Sequence, residues 1–147
     1  MTRLIALISC LVLWNLGVAQ DLVITNAHVI DGAGAIIERG SVVVIGGLIA
    51  SVSEGDAEGQ GTRIDAKGMT VMPGLINTHW HLLNGNTDEA IDEYIETGLA
   101  DVLKSLLGRG VTTIMSASDA YPNILELRRK LADGEISGPR LIAVGRH

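Results

Sequence analysis

The residues best suited to chemistry are two histidines separated by one residue, His79 and His81, at the end of an apolar run. In a β-strand, side chains two positions apart project from the same face, so both imidazoles point one way and Trp80 the other. Neutral imidazole is a good zinc ligand, and two on one face supply half of a tetrahedral set. The spacing alone is weak evidence, because structural histidines also fall into this pattern by chance. The preceding apolar run and its Pro73-Gly74 break make a metal site the favoured interpretation.

The chain before Met69 carries short β-type runs broken by Gly and Asp, at 22–30, 41–45 and 48–52. Gly46-Gly47, between the last two runs, predicts a two-residue hairpin turn, because both residues can adopt positive φ. A polar, Gly-rich loop follows at 54–61. We therefore predict a small antiparallel sheet for this part of the chain.

After Met69, strand-like and helix-like segments alternate. The run at 70–78 is followed by apolar residues at helical spacing, with Asn86 or Thr87 as the N-cap and Gly108 or Gly110 at the end. Two further strands at 111–115 and 141–144 flank a second helix, whose first position suits Pro122. Such alternation predicts parallel strands with crossover helices. If the first strand opens a barrel, the two histidines lie at its C-terminal end, where barrel enzymes keep their chemistry.

The first 19 residues have the three parts of a secretory signal peptide. Arg3 supplies the charge, 4–16 is almost wholly apolar, and Gly17 and Ala19 precede the expected cleavage before Gln20. We expect export to the periplasm or the exterior. The apolar run is shorter than the roughly 20 residues of a membrane span, so no stable span is expected after cleavage. An uncleaved anchor and a lipoprotein modified at Cys10 are the weaker alternatives.

Composition limits the other classes of function. The formal net charge is −6, and loss of the leader with Arg3 makes it −7, so an acidic chain without a basic stripe argues against nucleic acid as a partner. Cys10 is the only cysteine and leaves with the leader, so a metal must use histidine and carboxylate ligands. The remaining residues suffice for one small domain but fall far short of the roughly 250 residues of a closed (β/α)₈ barrel.

The segment from Pro73 to Asn77, with His79-Trp80-His81, resembles the first-strand signature of the amidohydrolase superfamily. Upstream, 23–32, 40–52 and 64–68 are similar to the small β-sandwich segment that precedes the barrel in that superfamily. Downstream, 110–113 and 137–146 resemble the branch with imidazolonepropionase-like and Xaa-Pro dipeptidase-like members. The resemblance implies an α/β chain in three parts: a signal peptide at 1–19, the N-terminal part of a β-sandwich at 20–69, and the first βα units of a (β/α)₈ TIM-type barrel at 70–147.

The same resemblance implies a metal-dependent hydrolase that acts on carbon–nitrogen bonds of an amide, cyclic amide or dipeptide through an activated water. It implies one or two divalent ions, usually zinc, with His79 and His81 as ligands. Relatives complete the site with a Lys or Glu on the fourth strand, His on the fifth and sixth, and on the eighth an Asp that shuttles the proton. None of these strands lies in the 147 residues, so no catalytic acid or base can be named. The chain is expected to be an N-terminal fragment that is inactive by itself.

Several positions depart from the family pattern. Asn77 stands where many relatives have Asp, and Trp80 replaces a smaller residue and must fit between the barrel and its helices. Gly46-Gly47-Leu48 replaces a more usual Asp-Gly-Arg or Asp-Gly-Lys hairpin. Met115-Ser116 replaces an Arg-Asp pair often seen in the branch, which leaves the substrate open.

Other candidate residues have ordinary explanations. We interpret His28 as a surface or hydrogen-bonded histidine, and Asp119, after the second barrel strand, as a solvated or helix-capping acid. His147 follows the third strand and cannot be placed. Gly32-Ala33-Gly34 suggests a dinucleotide loop, but Ile37 stands at the third glycine position and β residues follow instead of a helix. The acids between 88 and 96 are expected on the solvated face of a helix.

Two other functions remain open at this point. The same metal centre can hydrolyse another bond, such as an ester or a phosphotriester, and a truncated exported product can be without turnover. The expected partner is a small-molecule or dipeptide substrate. The sequence does not determine the substrate, the identity and number of the metals, or the oligomeric state.

Overall fold

The structure, a computed structural model, describes residues 21–83 and 87–144. The predicted leader, Asn86 and His147 lie outside these ranges. The chain divides into two compact units between Met72 and Pro73. This is three residues beyond Met69, where the sequence changes from short β-type runs to alternating strand-like and helix-like segments.

The first unit is a five-stranded mixed sheet. Two strands flank the central β1 on opposite sides, in the order β3-β2-β1-β4, and the short β5 also pairs with β1. The strands are β1 Leu22–Ile30, β2 Ile36–Ile45, β3 Leu48–Glu54, β4 Thr62–Asp65 and β5 Thr70–Val71. Alternate apolar residues of β1 and β2, with Ala66, form its core: Ala27, Val29, Val42 and Ala66.

The expectation of an antiparallel sheet is confirmed for the three strands that were predicted before Met69, and it is wrong for β4. β1-β2 and β2-β3 are antiparallel, whereas β4 and β5 run parallel to β1. β1 pairs with β4 at 22–25 and with β5 at 28–29. Between them lies an irregularity at Asn26, whose φ is 53° and near which the register to β2 shifts. β4 is absent from the sequence-based prediction because it is short and fully exposed, with no apolar alternation.

The predicted hairpin turn is confirmed. Gly46 and Gly47 connect β2 to β3 with φ of 58° and 79°, the positive values that a type I′ turn requires. The preceding connection, from β1 to β2, is held by Asp31, whose Oδ1 accepts hydrogen bonds from the amides of Ala33 (2.7 Å) and Ala35 (3.0 Å). A strand follows this glycine-containing turn, as expected, so it is not a dinucleotide-binding loop.

The second unit has the alternating α/β architecture predicted from the sequence. Its strands β6 Leu75–Trp80, β7 Val111–Ala117 and β8 Arg140–Val144 are parallel and lie in the order β6-β7-β8. Helices α1 Asp88–Thr97 and α2 Leu99–Gly108 connect β6 to β7, and α3 Asn123–Ala132 connects β7 to β8. Fully buried side chains from the helices, β7 and the segment after β6 pack together: Leu82, Leu99, Leu103, Ile114 and Ile124.

The single helix expected between Thr87 and Leu106 is two helices. Thr87 is the N-cap, and its hydroxyl accepts a hydrogen bond from the amide of Ala90. The interruption is at Gly98, which has the non-helical φ of −123° and carries a low helix propensity. The second predicted helix also differs slightly, because Pro122 occupies the N-cap position and α3 begins at Asn123. The acids of α1 are exposed, as predicted.

Within residues 21–83 and 87–144, no helix is long and apolar enough to cross a membrane.

Candidate metal centre

The two histidines of the His-x-His motif lie side by side at the C-terminal end of β6. His79 is the penultimate residue of the strand, and His81 follows its final residue, Trp80. The centroids of the two imidazole rings are 5.2 Å apart, with the ring planes at 79°. Both side chains are exposed, whereas Trp80 is half-buried and packs against the core of the second unit. The strand therefore separates the two imidazoles from the apolar core, as the two-residue period predicts.

The backbone that carries the histidines departs from regular strand pairing. The register between β6 and β7 runs from Asn77 opposite Ile114 to Trp80 opposite Ser116, with an irregularity between them. In that interval, Oδ1 of Asn77 accepts a hydrogen bond of 3.0 Å from the amide of His79. The side chain of Asn77 therefore accepts a hydrogen bond from a backbone amide that the irregular β6-β7 pairing leaves unused.

Asp119 contacts the residue that directly follows the His-x-His motif. The sequence-based interpretation of this acid is wrong. Asp119 is 4% exposed, so it is not a solvated acid, and it does not cap α3, whose N-cap is Pro122. Its Oδ2 accepts a hydrogen bond of 2.7 Å from the amide of Leu82 and another from the hydroxyl of Ser116. No local signal in the sequence indicates this role, because the bond to Leu82 spans 37 positions along the chain.

The remaining candidate residues take no part in this site. His28 lies in the other unit, with its Nδ1 3.3 Å from Oγ1 of Thr70 and its Nε2 4.0 Å from a carboxylate oxygen of Glu38. It is a hydrogen-bonded, partly exposed histidine, as interpreted. His147 lies outside the described residues.

The donor chemistry of the site fits part of a metal centre. Within the part of the chain that the structure describes, neither His79 nor His81 forms a side-chain hydrogen bond or an ion pair, so their ring nitrogens are open to a ligand. Two imidazoles on one face match a zinc chelate in donor type. The same described residues contain no group of three or more His, Cys, Asp or Glu placed to hold a metal. A metal held by the two histidines would therefore need further ligands from outside the described residues.

Comparison with known proteins agrees with this geometry. The model of the amidohydrolase family matches residues 70–145, which contain the whole of the three-stranded parallel sheet. The chain is 40% identical over 83 residues to a 5'-deoxyadenosine deaminase of Methanosarcina acetivorans, covering 52% of this chain and 19% of the relative. It is 35% identical over 99 residues to a dihydroorotase of Elusimicrobium minutum, covering 67% of this chain and 22% of that one.

The fold is similar to that of a solved prolidase, complexed with N-methylphosphonate-L-proline. The TM-score is 0.70 at 28% sequence identity, and the match covers 86% of this chain and 32% of the prolidase chain. The chain belongs to the amidohydrolase family, whose members are hydrolytic enzymes with TIM-type barrels that act on carbon–nitrogen bonds. It spans about a fifth of the length of these curated relatives and about a third of the solved chain.

Proposed function

We propose that this chain contributes the first two metal ligands, His79 and His81, to a hydrolase that cleaves a carbon–nitrogen bond of a small molecule. One observation carries the proposal: two imidazoles lie 5.2 Å apart at the C-terminal end of the first strand of a parallel sheet, and neither has a side-chain hydrogen bond or ion pair among the described residues. In barrel enzymes, that end of the strands holds the active site. The match of the family model over the same strands supports this placement.

His79 and His81 would hold the metal through ring nitrogens that lie on one face at the end of β6. Trp80 packs the opposite face against the core, which orients both imidazoles. A divalent ion held there, zinc in our proposal, supplies a Lewis acid that lowers the pKa of water and polarises a carbonyl oxygen. We propose that the remaining ligands and the general acid or base come from strands other than the three described ones.

The substrate class follows from what the relatives share. A deaminase, a dihydroorotase and a prolidase each act on a carbon–nitrogen bond. We propose an amide, a cyclic amide or a dipeptide for this protein. The similarity to the solved prolidase favours the dipeptide as the first substrate to test.

The test uses the complete protein, by which we mean this chain together with any sequence that continues it in its reading frame. Metal content is measured by mass spectrometry, and turnover is measured on an Xaa-Pro dipeptide, dihydroorotate, an adenine nucleoside and an aryl ester. We expect one or two zinc ions per chain and turnover of at least one of the carbon–nitrogen substrates. Turnover of the ester alone would refute the proposed carbon–nitrogen hydrolysis and favour ester hydrolysis as the function.

Three histidine variants assign the ligands. His79→Ala and His81→Ala should each lower zinc content and turnover together, because each removes a ligand. His28→Ala is the matched control, since His28 is also partly exposed but lies in the other unit, and it should keep both. Unchanged zinc content and turnover in both strand variants would show that the pair is structural.

We further propose that residues 1–19 direct the protein out of the cytoplasm and are removed before Gln20. The support is the charged start, the apolar stretch and the small residues at Gly17 and Ala19. N-terminal sequencing of the protein recovered from the periplasm or the medium should begin at Gln20. A first residue of Met1 would refute the cleavage.

A further inference from the structure

The carboxylate of Asp119 joins two strand ends through a single oxygen. Its Oδ2 accepts the amide of Leu82, directly after the His-x-His segment of β6, and the hydroxyl of Ser116, near the end of β7. Ser116 is also the residue that lies opposite Trp80 in the register between the two strands. Asp119 therefore connects the segment leaving β6 to the strand beside it.

Both donors need this oxygen because both are buried. Leu82 and Ser116 are 0% exposed, so neither the amide nor the hydroxyl has water as an alternative partner. An unpaired buried donor is costly, so the loss of this acceptor would destabilise both strand ends. The contact is therefore a fixed feature of the folded chain, unlike a surface pairing that exchanges with solvent.

The amide of Leu82 belongs to the same peptide plane as the carbonyl of His81. Holding that amide fixes the rotation ψ of His81, and with it the direction in which the backbone presents the imidazole ring. On the opposite side of the motif, Oδ1 of Asn77 holds the amide of His79 in the same manner. A side-chain oxygen thus accepts a backbone amide at each end of the His-x-His segment.

We propose that Asp119 is a positioning residue for the metal ligand His81, acting through the amide of Leu82; this rests on the proposed metal site. In this role Asp119 acts through the hydrogen bonds that its Oδ2 accepts, and not as a metal ligand. Its effect is to keep the His81 ring beside that of His79 before a metal arrives. Pre-oriented ligands bind more tightly, and loss of a group that supports a metal ligand costs about 10–100-fold in affinity.

The test compares four variants of the complete protein: Asp119→Ala, Asp119→Asn, Ser116→Ala and Ser41→Ala. Asp119→Asn keeps an oxygen that can accept from both donors, so it separates positioning from charge. Ser41→Ala is the control for general destabilisation. Ser41 is 0% exposed, and its hydroxyl donates to the carbonyl of Gly55 and accepts from the amide of Ala57, but it lies in the other unit.

Two readouts are needed. Cobalt(II) affinity and the intensity of its visible absorption bands report the ligand geometry, and site-resolved amide hydrogen exchange in the metal-free protein reports the Leu82 bond. We expect Asp119→Ala to weaken cobalt binding at least about tenfold, to alter the absorption bands and to speed exchange at Leu82. Asp119→Asn should restore all three measurements to near wild type, and Ser116→Ala should have a smaller effect than Asp119→Ala. Ser41→Ala should leave cobalt binding unchanged.

The outcomes separate this inference from the proposed function. Wild-type affinity and absorption in Asp119→Ala, with faster exchange at Leu82, would reduce Asp119 to a structural anchor and leave the metal site intact. An equal loss of affinity in Ser41→Ala would also overturn the inference, because the effect would then be general destabilisation. A wild-type protein that binds no cobalt, although Leu82 is protected, would overturn the metal site and the inference together.

Discussion

Replacement of Gly74 by alanine should destabilise the second unit, because the glycine provides space between two strands. Gly74 lies one residue before β6, and a Cβ at this position would lie 2.7 Å from Cβ of Thr112 on β7, with the two γ atoms of Thr112 closer still. Rotation of the threonine side chain cannot relieve this contact, since its Cβ does not move. The backbone has to move apart instead.

The size of the effect follows from that movement. A shift of about 1 Å stretches the 2.8 Å hydrogen bond from the amide of Leu75 to the carbonyl of Gly110 beyond good geometry. Overpacking costs about 1–3 kcal/mol and the lost hydrogen bond about 0.5–1.5 kcal/mol. The lower entropy of the unfolded alanine chain offsets about 0.4–1 kcal/mol. We expect a net loss of about 0.5–4 kcal/mol in the free energy of unfolding.

The assay is denaturant unfolding of the complete protein with a matched glycine control. Gly108, at the end of α2, has no positive φ, and a Cβ added there would meet no atom within 4 Å, so Gly108→Ala should be neutral or slightly stabilising. Thr112→Gly removes the clashing side chain, so the Gly74→Ala/Thr112→Gly double variant should be more stable than the sum of the single changes by at least about 1 kcal/mol. If Gly74→Ala is as stable as Gly108→Ala, the close approach of β6 and β7 at this position is refuted.

Three further predictions address local structure and solubility. Thr87→Ala removes the N-cap acceptor of α1 and should lower the free energy of unfolding by about 1 kcal/mol. Ser51→Ala, an exposed control, should leave the free energy of unfolding unchanged. The amides of Ala33 and Ala35 hold the pKa of Asp31 below its ordinary value, so its contribution to stability is present above the unfolded pKa and is lost as the pH falls through the folded pKa. Asp31→Asn should therefore flatten the dependence of stability on pH below about pH 4, and an NMR titration that places the Asp31 carboxyl at its ordinary pKa would contradict this. Residues 20–147 expressed alone should be insoluble or partly folded and without metal-dependent amidase activity, because β3 and β8 expose apolar residues. A soluble, zinc-loaded and active product would refute this prediction.

The strands and the histidine pair were predictable because their signals are local. A period of two fixes which side of β6 His79 and His81 share, and an apolar run with flanking glycines marks β7 and β8. The hairpin at Gly46-Gly47 follows from the conformational freedom of two adjacent glycines, and its observed φ values agree.

The features that escaped prediction depend on contacts between distant parts of the chain. β4 is a strand only because β1 offers it a parallel edge, and nothing in its own exposed sequence favours that pairing. Asp119 has the sequence context of a loop acid, since a sequence cannot show that the amide of Leu82 is buried beside it. The helix break at Gly98 could have been predicted from the local sequence, because glycine disfavours a helix interior. The continuous apolar spacing on both sides of Gly98 favoured a single helix instead.

The arrangement of β1 between β2 and β4 has a consequence for the order in which the chain folds during synthesis. β2 is next in sequence, but the other edge of β1 is completed by residues such as Thr62, which pairs with Leu22 and is made roughly 40 residues later. At about 5–20 residues per second, the ribosome leaves that edge unpaired for about 2–8 seconds. Until β4 is made, this edge of β1 is open to chaperones and to pairing with other chains.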